Sequence, residues 1–179
     1  NIFRSLELGN TLPLVRVESS NFKDLKYPME AGAAGVIVPM IKDSDEVKYV
    51  VDNVKWPPIG SRGVGFSRAN LYGKNFINYS KLAIQPFIVI QIENIQAVNN
   101  LDSILKSVEV DAILIGPYDL SASIGKLGQF KSKTFLDTIN KITKICKKNN
   151  VPYGTHIISP EKRLLSKSIK SGNLFIPYS

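Results

Sequence analysis

The stretch that decides the fold covers residues 87–116 and reads FIVIQIENIQAVNNLDSILKSVEVDAILIG. It begins and ends with short, almost continuous apolar runs, which are typical of parallel strands covered on both faces. A strand, a helix and a second strand joined by short links indicate a parallel α/β fold. The helix is marked by apolar residues at helical spacing, namely Ile95, Val98, Leu101, Ile104 and Leu105.

The same alternation of strand and helix extends over the rest of the chain. Six apolar runs are predicted to be strands, at residues 12–17, 35–39, 87–93, 111–116, 152–157 and 173–178. Two further amphipathic helices have apolar stripes, one at Val47, Val50, Val51 and Val54 and the other at Phe135, Ile139, Ile142 and Cys146.

Capping residues place two helix boundaries. Asp43 and Glu46 have the spacing of a capping box at the start of the helix that carries the valines. Ser159 is expected to cap the last helix, with Pro160 in its first turn and Gly172 at its end.

Three stretches interrupt the regular pattern. Pro28 lies within residues 21–33, where it is expected to shorten or kink any helix. The connection over residues 56–84 is unusually long. The connection over residues 125–134 contains two glycines, follows a strand and precedes a helix. In a β/α barrel this position lies on the catalytic face, so the pattern predicts a mobile loop there.

Length and composition bound the class of protein. The chain has 179 residues, of which 44% are apolar, and it fits one domain over residues 1–179. The longest apolar runs, such as 87–92, are far shorter than the ~20 residues of a membrane helix. Arg4 and Glu7 interrupt the first residues, so these do not resemble a signal peptide. The single cysteine, Cys146, is expected to be a core residue in a reducing, cytoplasmic compartment.

The formal charge is +8, from 23 Lys and Arg against 15 Asp and Glu. Such an excess is compatible with nucleic-acid binding. No aromatic-interleaved basic strand or zinc-finger spacing accompanies it, however, so we favour a solvated helical surface and expect no nucleic-acid partner. The lysines concerned are spread over predicted helix faces, at Lys131, Lys133, Lys141, Lys144, Lys147, Lys148, Lys162, Lys167 and Lys170.

Charged residues at the carboxyl ends of the predicted strands are the candidates for chemistry, because ligands bind at those ends in parallel α/β folds. Glu93 and Asp119 follow consecutive strands, which lie about 4.8 Å apart if they are neighbours. Two such carboxylates attract a cation, and oxygen ligands favour Mg²⁺ or Mn²⁺. Alternatively, Glu93 caps the next helix and Asp119 is a turn residue. Arg16 is either an ion-pair partner or a cation that stabilises an oxyanion.

The run Gly116-Pro117-Tyr118-Asp119-Leu120-Ser121 offers the backbone N–H groups of Tyr118 and Asp119, which could hold a small carboxylate. His156, the only histidine, could be a general base, a pocket wall or a structural residue. The predicted strands contain no lysine, which disfavours a Schiff-base aldolase mechanism for this segment.

In these motifs the chain resembles the HpcH/HpaI aldolase and citrate lyase family, and more narrowly its metal-dependent sugar-acid and dihydroxyheptenedioate aldolases. The run 115–125 together with the upstream Gln-Ile-Glu at 91–93 is the most specific pair. The resemblance spans essentially the whole chain and is carried by Arg16, AGAAGVIVPM at 31–40, WPPIGSRGVG at 56–65, QIE at 91–93 and IGPYDLSASIG at 115–125.

The resemblance implies a TIM-type (β/α)8 barrel that reversibly cleaves a 4-hydroxy-2-oxo acid to pyruvate and an aldehyde through a metal-stabilised pyruvate enolate. It implies that Glu93 and Asp119 bind the divalent ion, which is Mg²⁺ or Mn²⁺ with Co²⁺ as a further candidate. It also implies that Arg16 stabilises the keto oxygen and that Gln91 orients the site.

The same resemblance implies which residues contact substrate. Backbone N–H groups near Gly116, Pro117, Tyr118 and Asp119 would hold the pyruvyl carboxylate, and Leu114 and His156 would line the aldehyde end. Glu30 matches an acidic position that reaches a neighbouring subunit's site, which implies a homo-oligomer.

The chain is shorter than the roughly 250 residues of such barrels. Its predicted strands match barrel strands three to eight, so an incomplete barrel is expected, and no residue matches the family's catalytic base histidine. The chain is then either a fragment or a barrel completed by a partner. Two alternatives to the aldolase remain: a citryl- or malyl-CoA lyase of the same family, and an inactive truncated barrel that acts as a subunit.

Overall fold

The computed structural model describes residues 1–157 and 161–177. It shows an α/β fold with five strands, β1 (Leu14–Arg16), β2 (Gly35–Val38), β3 (Phe87–Ile92), β4 (Ala112–Ile115) and β5 (Tyr153–Thr155). The helices are α1 (Ile2–Leu8), α2 (Phe22–Ala31), α3 (Ser44–Val54), α4 (Phe76–Ala83), α5 (Ile95–Ser107), α6 (Pro117–Ser123), α7 (Lys133–Lys148) and α8 (Lys162–Lys170), with a 3₁₀ helix at Arg68–Gly73.

The chain divides into two compact units. The first unit comprises Asn1–Pro39 and Lys48–Ile88, and the second comprises Met40–Val47 and Val89–Ser179. The prediction of one domain over residues 1–179 stays a prediction. In the described part of the chain, no helix is both long and apolar enough to cross a bilayer.

In the first unit, β1 and β2 pair in parallel, with Leu14 opposite Gly35 and Arg16 opposite Ile37. The N–H of Phe87, the first residue of β3, donates to the Ala34 carbonyl at 3.0 Å. The predicted strands 12–17 and 35–39 are thus confirmed as somewhat shorter strands.

Helix α2 continues for three residues past Pro28, so the expected shortening at this proline is not found. Asn21 caps the helix by accepting from the Asp24 N–H, and Gly32 ends it at a φ of +104°. The proline removes one helical N–H, at a cost of roughly 3 kcal/mol. Leu25 and Met29 are buried, and each contributes about 1.5–3 kcal/mol by burial, which offsets that cost.

The long connection 56–84 holds the 3₁₀ helix and α4, neither of which the sequence pattern predicted. The Trp56 ring packs edge-on against Tyr79 at 5.3 Å, and Ala83 is buried in the same cluster. The Arg62 guanidinium is also buried, and donates to the carbonyls of Val54 and Ala83. Scattered aromatic residues, rather than a periodic stripe, therefore organise this segment.

In the second unit, β3 pairs in parallel with β4, and β4 with β5. The predicted stripes on α5 and α7 are confirmed in their central residues, since Val98, Leu101 and Ile142 are buried. Ile95, the first residue of α5, is exposed. Cys146 is buried in α7, and burial raises the pKa of its thiol to about 12, so it is a core residue as predicted.

The structure corrects the prediction of a sixth strand over residues 173–178. Within residues 173–177 no strand forms. The N–H groups of Leu174 and Phe175 instead both donate to the Tyr153 carbonyl, and two neighbouring donors on one acceptor break the regular spacing of a parallel ladder. Gly172 follows α8 with a φ of +88°, as expected for a helix end. The expected Ser159 cap and Pro160 lie outside the described residues.

Candidate active site

The candidate site begins with two strands that lie side by side. Gln91 of β3 is paired with Leu114 of β4, and Leu114 is paired with Gly154 of β5. Because side chains alternate along a strand, Gln91 and Glu93 share one face of β3, beside Leu114 and Gly116. The pairing therefore brings together four of the residues predicted to form the site.

Glu93 is a buried carboxylate, only 3% exposed. Its Oε1 accepts the Met40 N–H at 2.7 Å, and its Oε2 accepts Nε2 of Gln91 at 2.6 Å. Two N–H donors, one on each oxygen, hold the plane of the carboxylate. That Gln91 orients the site stays a prediction.

Met40, for which no role is predicted from the sequence, contacts the candidate ligand Glu93. It follows β2 and has a φ of +57°, a conformation that costs a non-glycine residue about 1–3 kcal/mol. Two further bonds hold the same segment: Asn94 Nδ2 donates to the Ile41 carbonyl at 3.0 Å, and Asn100 Nδ2 donates to the Lys42 carbonyl at 2.9 Å. The one sequence feature that could have indicated a role for Asn94 is its position directly after Glu93.

Residues Pro117–Ser123 form helix α6, which the sequence pattern does not predict. Gly116 is its N-cap, Pro117 its first residue, and Asp119 lies in its exposed first turn. The first N–H groups of a helix have no acceptor within the helix, so those of Tyr118 and Asp119 suit the predicted contact with a carboxylate. The Tyr118 ring is half-exposed and contacts Phe130 edge-on at 5.0 Å.

The loop after α6 is attached to the helix. The Ser121 hydroxyl donates to the Tyr118 carbonyl at 2.7 Å and accepts the Gly128 N–H at 3.0 Å. The Lys126 N–H donates to the Ser121 carbonyl at 2.7 Å. The predicted mobile loop, 125–134, is therefore fastened to α6 near its two glycines, and its mobility stays a prediction.

Three other predicted residues lie apart from this cluster in sequence. His156 follows β5 and is exposed. Arg16 ends β1 in the first unit, where its guanidinium is exposed and donates to the Val17 carbonyl at 3.4 Å. Glu30, in α2 of the first unit, forms an ion pair with Lys26 at 3.5 Å. The site roles of all three stay predictions.

The residues at the end of β3 fit a divalent cation. The carboxylates of Glu93, after β3, and of Asp119, in α6, are of the hard oxygen type that such a cation prefers, although no cluster of three or more acidic, His or Cys side chains occurs within residues 1–157 and 161–177. The Oε1 atom of Gln91 is buried and accepts no hydrogen bond from the described residues. A cation-bound water would supply the missing O–H donor beside Glu93.

Comparisons of sequence and of structure with known proteins point to the same family. The model of the HpcH/HpaI aldolase/citrate lyase family matches residues 4–177. The hydroxypyruvate/pyruvate aldolase of Roseobacter denitrificans is 32% identical over 96% of this chain and 67% of its own length. The 4-hydroxy-2-oxovalerate aldolase of Novosphingobium aromaticivorans is 31% identical over 91% of this chain and 62% of its own length.

A solved structure of an HpcH/HpaI aldolase/citrate lyase family protein from Burkholderia cenocepacia J2315 superposes with a TM-score of 0.90 at 25% identity. The match covers 99% of this chain and 71% of that protein. The chain thus spans about two thirds of the length of the proteins it matches. With five strands in the described residues, the expectation of an incomplete TIM-type barrel is confirmed.

Proposed function

Because the chain belongs to the HpcH/HpaI aldolase/citrate lyase family, we propose that it is a divalent-metal-dependent aldolase. It reversibly cleaves a 4-hydroxy-2-oxo acid to pyruvate and an aldehyde. The observation that carries the proposal is the buried carboxylate of Glu93, held by Gln91 and Met40 at the carboxyl end of β3. The curated relatives named above, both aldolases, support the reaction class.

Glu93 and Asp119 would hold the ion, Mg²⁺ or Mn²⁺ with Co²⁺ as a further candidate, which supplies Lewis-acid polarisation of the 2-oxo group. Gln91 fixes one oxygen of Glu93 through Nε2. The N–H groups of Tyr118 and Asp119, in the first turn of α6, receive the substrate carboxylate. Gly116 leaves room for the Glu93 side chain above it.

The remaining predicted residues act on the substrate. Arg16 neutralises the developing oxyanion, Leu114 and His156 line the aldehyde end, and Pro117 belongs to the turn that holds the substrate carboxylate. In cleavage the C3–C4 bond breaks, the C4 hydroxyl loses its proton as the aldehyde forms, and C3 of pyruvate gains a proton. The Arg16 guanidinium suits a developing oxyanion because it can donate two hydrogen bonds in a fixed geometry. The five described strands contain no lysine that could form a Schiff base.

We further propose that the protein is a cytoplasmic homo-oligomer whose partner is a small 2-oxo acid rather than nucleic acid. Glu30 is only partly exposed and pairs with Lys26, and it would contact the site of a neighbouring subunit. Light scattering on the purified chain tests the assembly. A wholly monomeric species would contradict it.

Proton exchange at C3 of pyruvate tests the function most directly. The full chain, supplied with Mn²⁺ or Mg²⁺ in deuterated water, is expected to exchange the methyl protons in a metal-dependent manner. Glu93→Gln is expected to slow this exchange at least 100-fold, whereas Glu109→Gln, at an exposed acid on the connection before β4, leaves it unchanged. Equal exchange in the two variants would show that Glu93 is not a metal ligand.

Cleavage assays separate the alternatives. An aldolase cleaves 4-hydroxy-2-oxo acids and leaves citryl-CoA and malyl-CoA intact, and the opposite preference indicates the lyase branch of the family. Absence of both exchange and cleavage at saturating metal indicates a non-catalytic subunit.

A further inference from the structure

We propose that Asn94 is a positioning residue for the metal site, acting through the backbone of Met40 on the carboxylate of Glu93. This inference rests on the proposed function, because it assigns Asn94 to the same site. The juxtaposition that carries it is a segment of three residues, Met40–Lys42, which is bonded to Glu93, to the N-cap Asn94 of α5 and to Asn100 within α5.

The Asn94 side chain makes two bonds with different roles. Its Oδ1 accepts the Ala97 N–H at 2.8 Å, which caps α5. Its Nδ2 donates to the Ile41 carbonyl at 3.0 Å, which holds the residue after Met40. The cap needs only an acceptor, and serine provides one. The bond to Ile41 needs the amide, so the two roles can be separated by substitution.

Met40 needs external support for its conformation. Its φ of +57° is disfavoured for a residue with a Cβ, and its own side chain is 52% exposed and so provides little packing. The next residue, Ile41, is buried, and its carbonyl is held by Asn94. These two constraints on Ile41 keep the Met40 N–H directed at Oε1 of Glu93, 2.7 Å away.

The consequence for the metal site follows from how such ligands are held. A carboxylate ligand whose hydrogen-bonded neighbours are removed loses orientation, and metal affinity falls about 10–100-fold. Gln91 retains its hold on Oε2 in the absence of Asn94. We therefore expect the lower part of that range when only the Met40 bond is weakened.

The decisive variant is Asn94→Ser, which keeps a capping acceptor and removes the amide. In the full chain, the Mn²⁺ dissociation constant measured by electron paramagnetic resonance is expected to rise about tenfold. In the metal-free protein, the Met40 amide proton is expected to exchange with solvent about tenfold faster. Asn21→Ser, at the capping asparagine of α2 in the other unit, is the matched control and leaves both values unchanged.

Asn100→Ser gives an independent second arm, because it releases the Lys42 carbonyl without touching the cap of α5. It is expected to weaken Mn²⁺ binding in the same direction by a smaller factor, about threefold. Wild-type Mn²⁺ affinity in both Asn94→Ser and Asn100→Ser overturns the inference and leaves the proposed function standing. A wild-type chain that binds none of Mn²⁺, Mg²⁺ and Co²⁺ overturns the proposed function, and the inference with it.

Discussion

Gly116 lies so close to Glu93 that a Cβ built on Gly116 would stand 2.5 Å from Oε2 of Glu93 and 2.9 Å from its Cβ. The same atom would stand 3.0 Å from Nε2 of Gln91. Contacts this short displace one partner, and here both partners belong to the candidate site. The absence of a side chain at residue 116 is therefore a requirement of the Glu93 position.

Gly116→Ala is expected to weaken Mn²⁺ binding at least tenfold, because Glu93 must leave the position in which Gln91 and Met40 hold it. Isothermal titration with Mn²⁺ measures the loss. Gly65→Ala is the matched control, since its Cβ would meet nothing within 4 Å. Unchanged Mn²⁺ affinity in Gly116→Ala would show that the metal does not depend on Glu93.

Ser121→Ala is expected to free the loop that follows α6. The variant loses the acceptor for the Gly128 N–H and the donor to the Tyr118 carbonyl. Trypsin should then cut the native chain after Lys126 severalfold faster than in the wild type, as followed by mass spectrometry. Ser103→Ala, which removes a hydroxyl bonded only within α5, should leave the rate unchanged. Equal rates in all three proteins would mean that Ser121 does not hold the loop.

Arg62→Met is expected to lower the free energy of unfolding by about 2–4 kcal/mol. The guanidinium is 1% exposed, lies over the Trp56 ring and donates to Val54 and Ala83, the last residues of α3 and α4. Methionine fills similar space but leaves both carbonyls without this donor. Urea denaturation measures the change, with Arg4→Met on exposed α1 as a control expected within about 0.5 kcal/mol.

Asp102 is expected to make part of the folding stability depend on pH in the acid range. Hydrogen bonds from Lys106, then Asn149 and Lys148, lower the pKa of this carboxyl from 3.8 to about 2. Its contribution is therefore complete above about pH 4 and is lost as the pH falls toward 2. Asp102→Asn should flatten the stability profile in that window and nowhere else, whereas Asp137→Asn should keep it. A carboxyl carbon titration by NMR with a midpoint near 4 would contradict the assignment.

The residues of the candidate site were predictable to different degrees. Gln91, Glu93 and Asp119 could be found because strand ends in parallel folds collect functional groups, whatever the details of packing. Met40 and Asn94 could not, because their roles depend on a hydrogen bond between residues 53 apart in the chain. Helix α6 was missed because its seven residues are too short to show a periodic pattern.

Local sequence alone determined the alternation of strands and helices, the buried stripes of α5 and α7, and the carboxylates offered at the strand ends, since these follow from side-chain polarity and period. Tertiary structure decided the rest. It carried α2 through Pro28, since the burial of Leu25 and Met29 outweighs the lost hydrogen bond. In the tertiary structure residues 173–177 form no strand. Met40 has a left-handed conformation, and its N–H donates to Glu93. Each of these outcomes depends on contacts between distant segments, which no local pattern encodes.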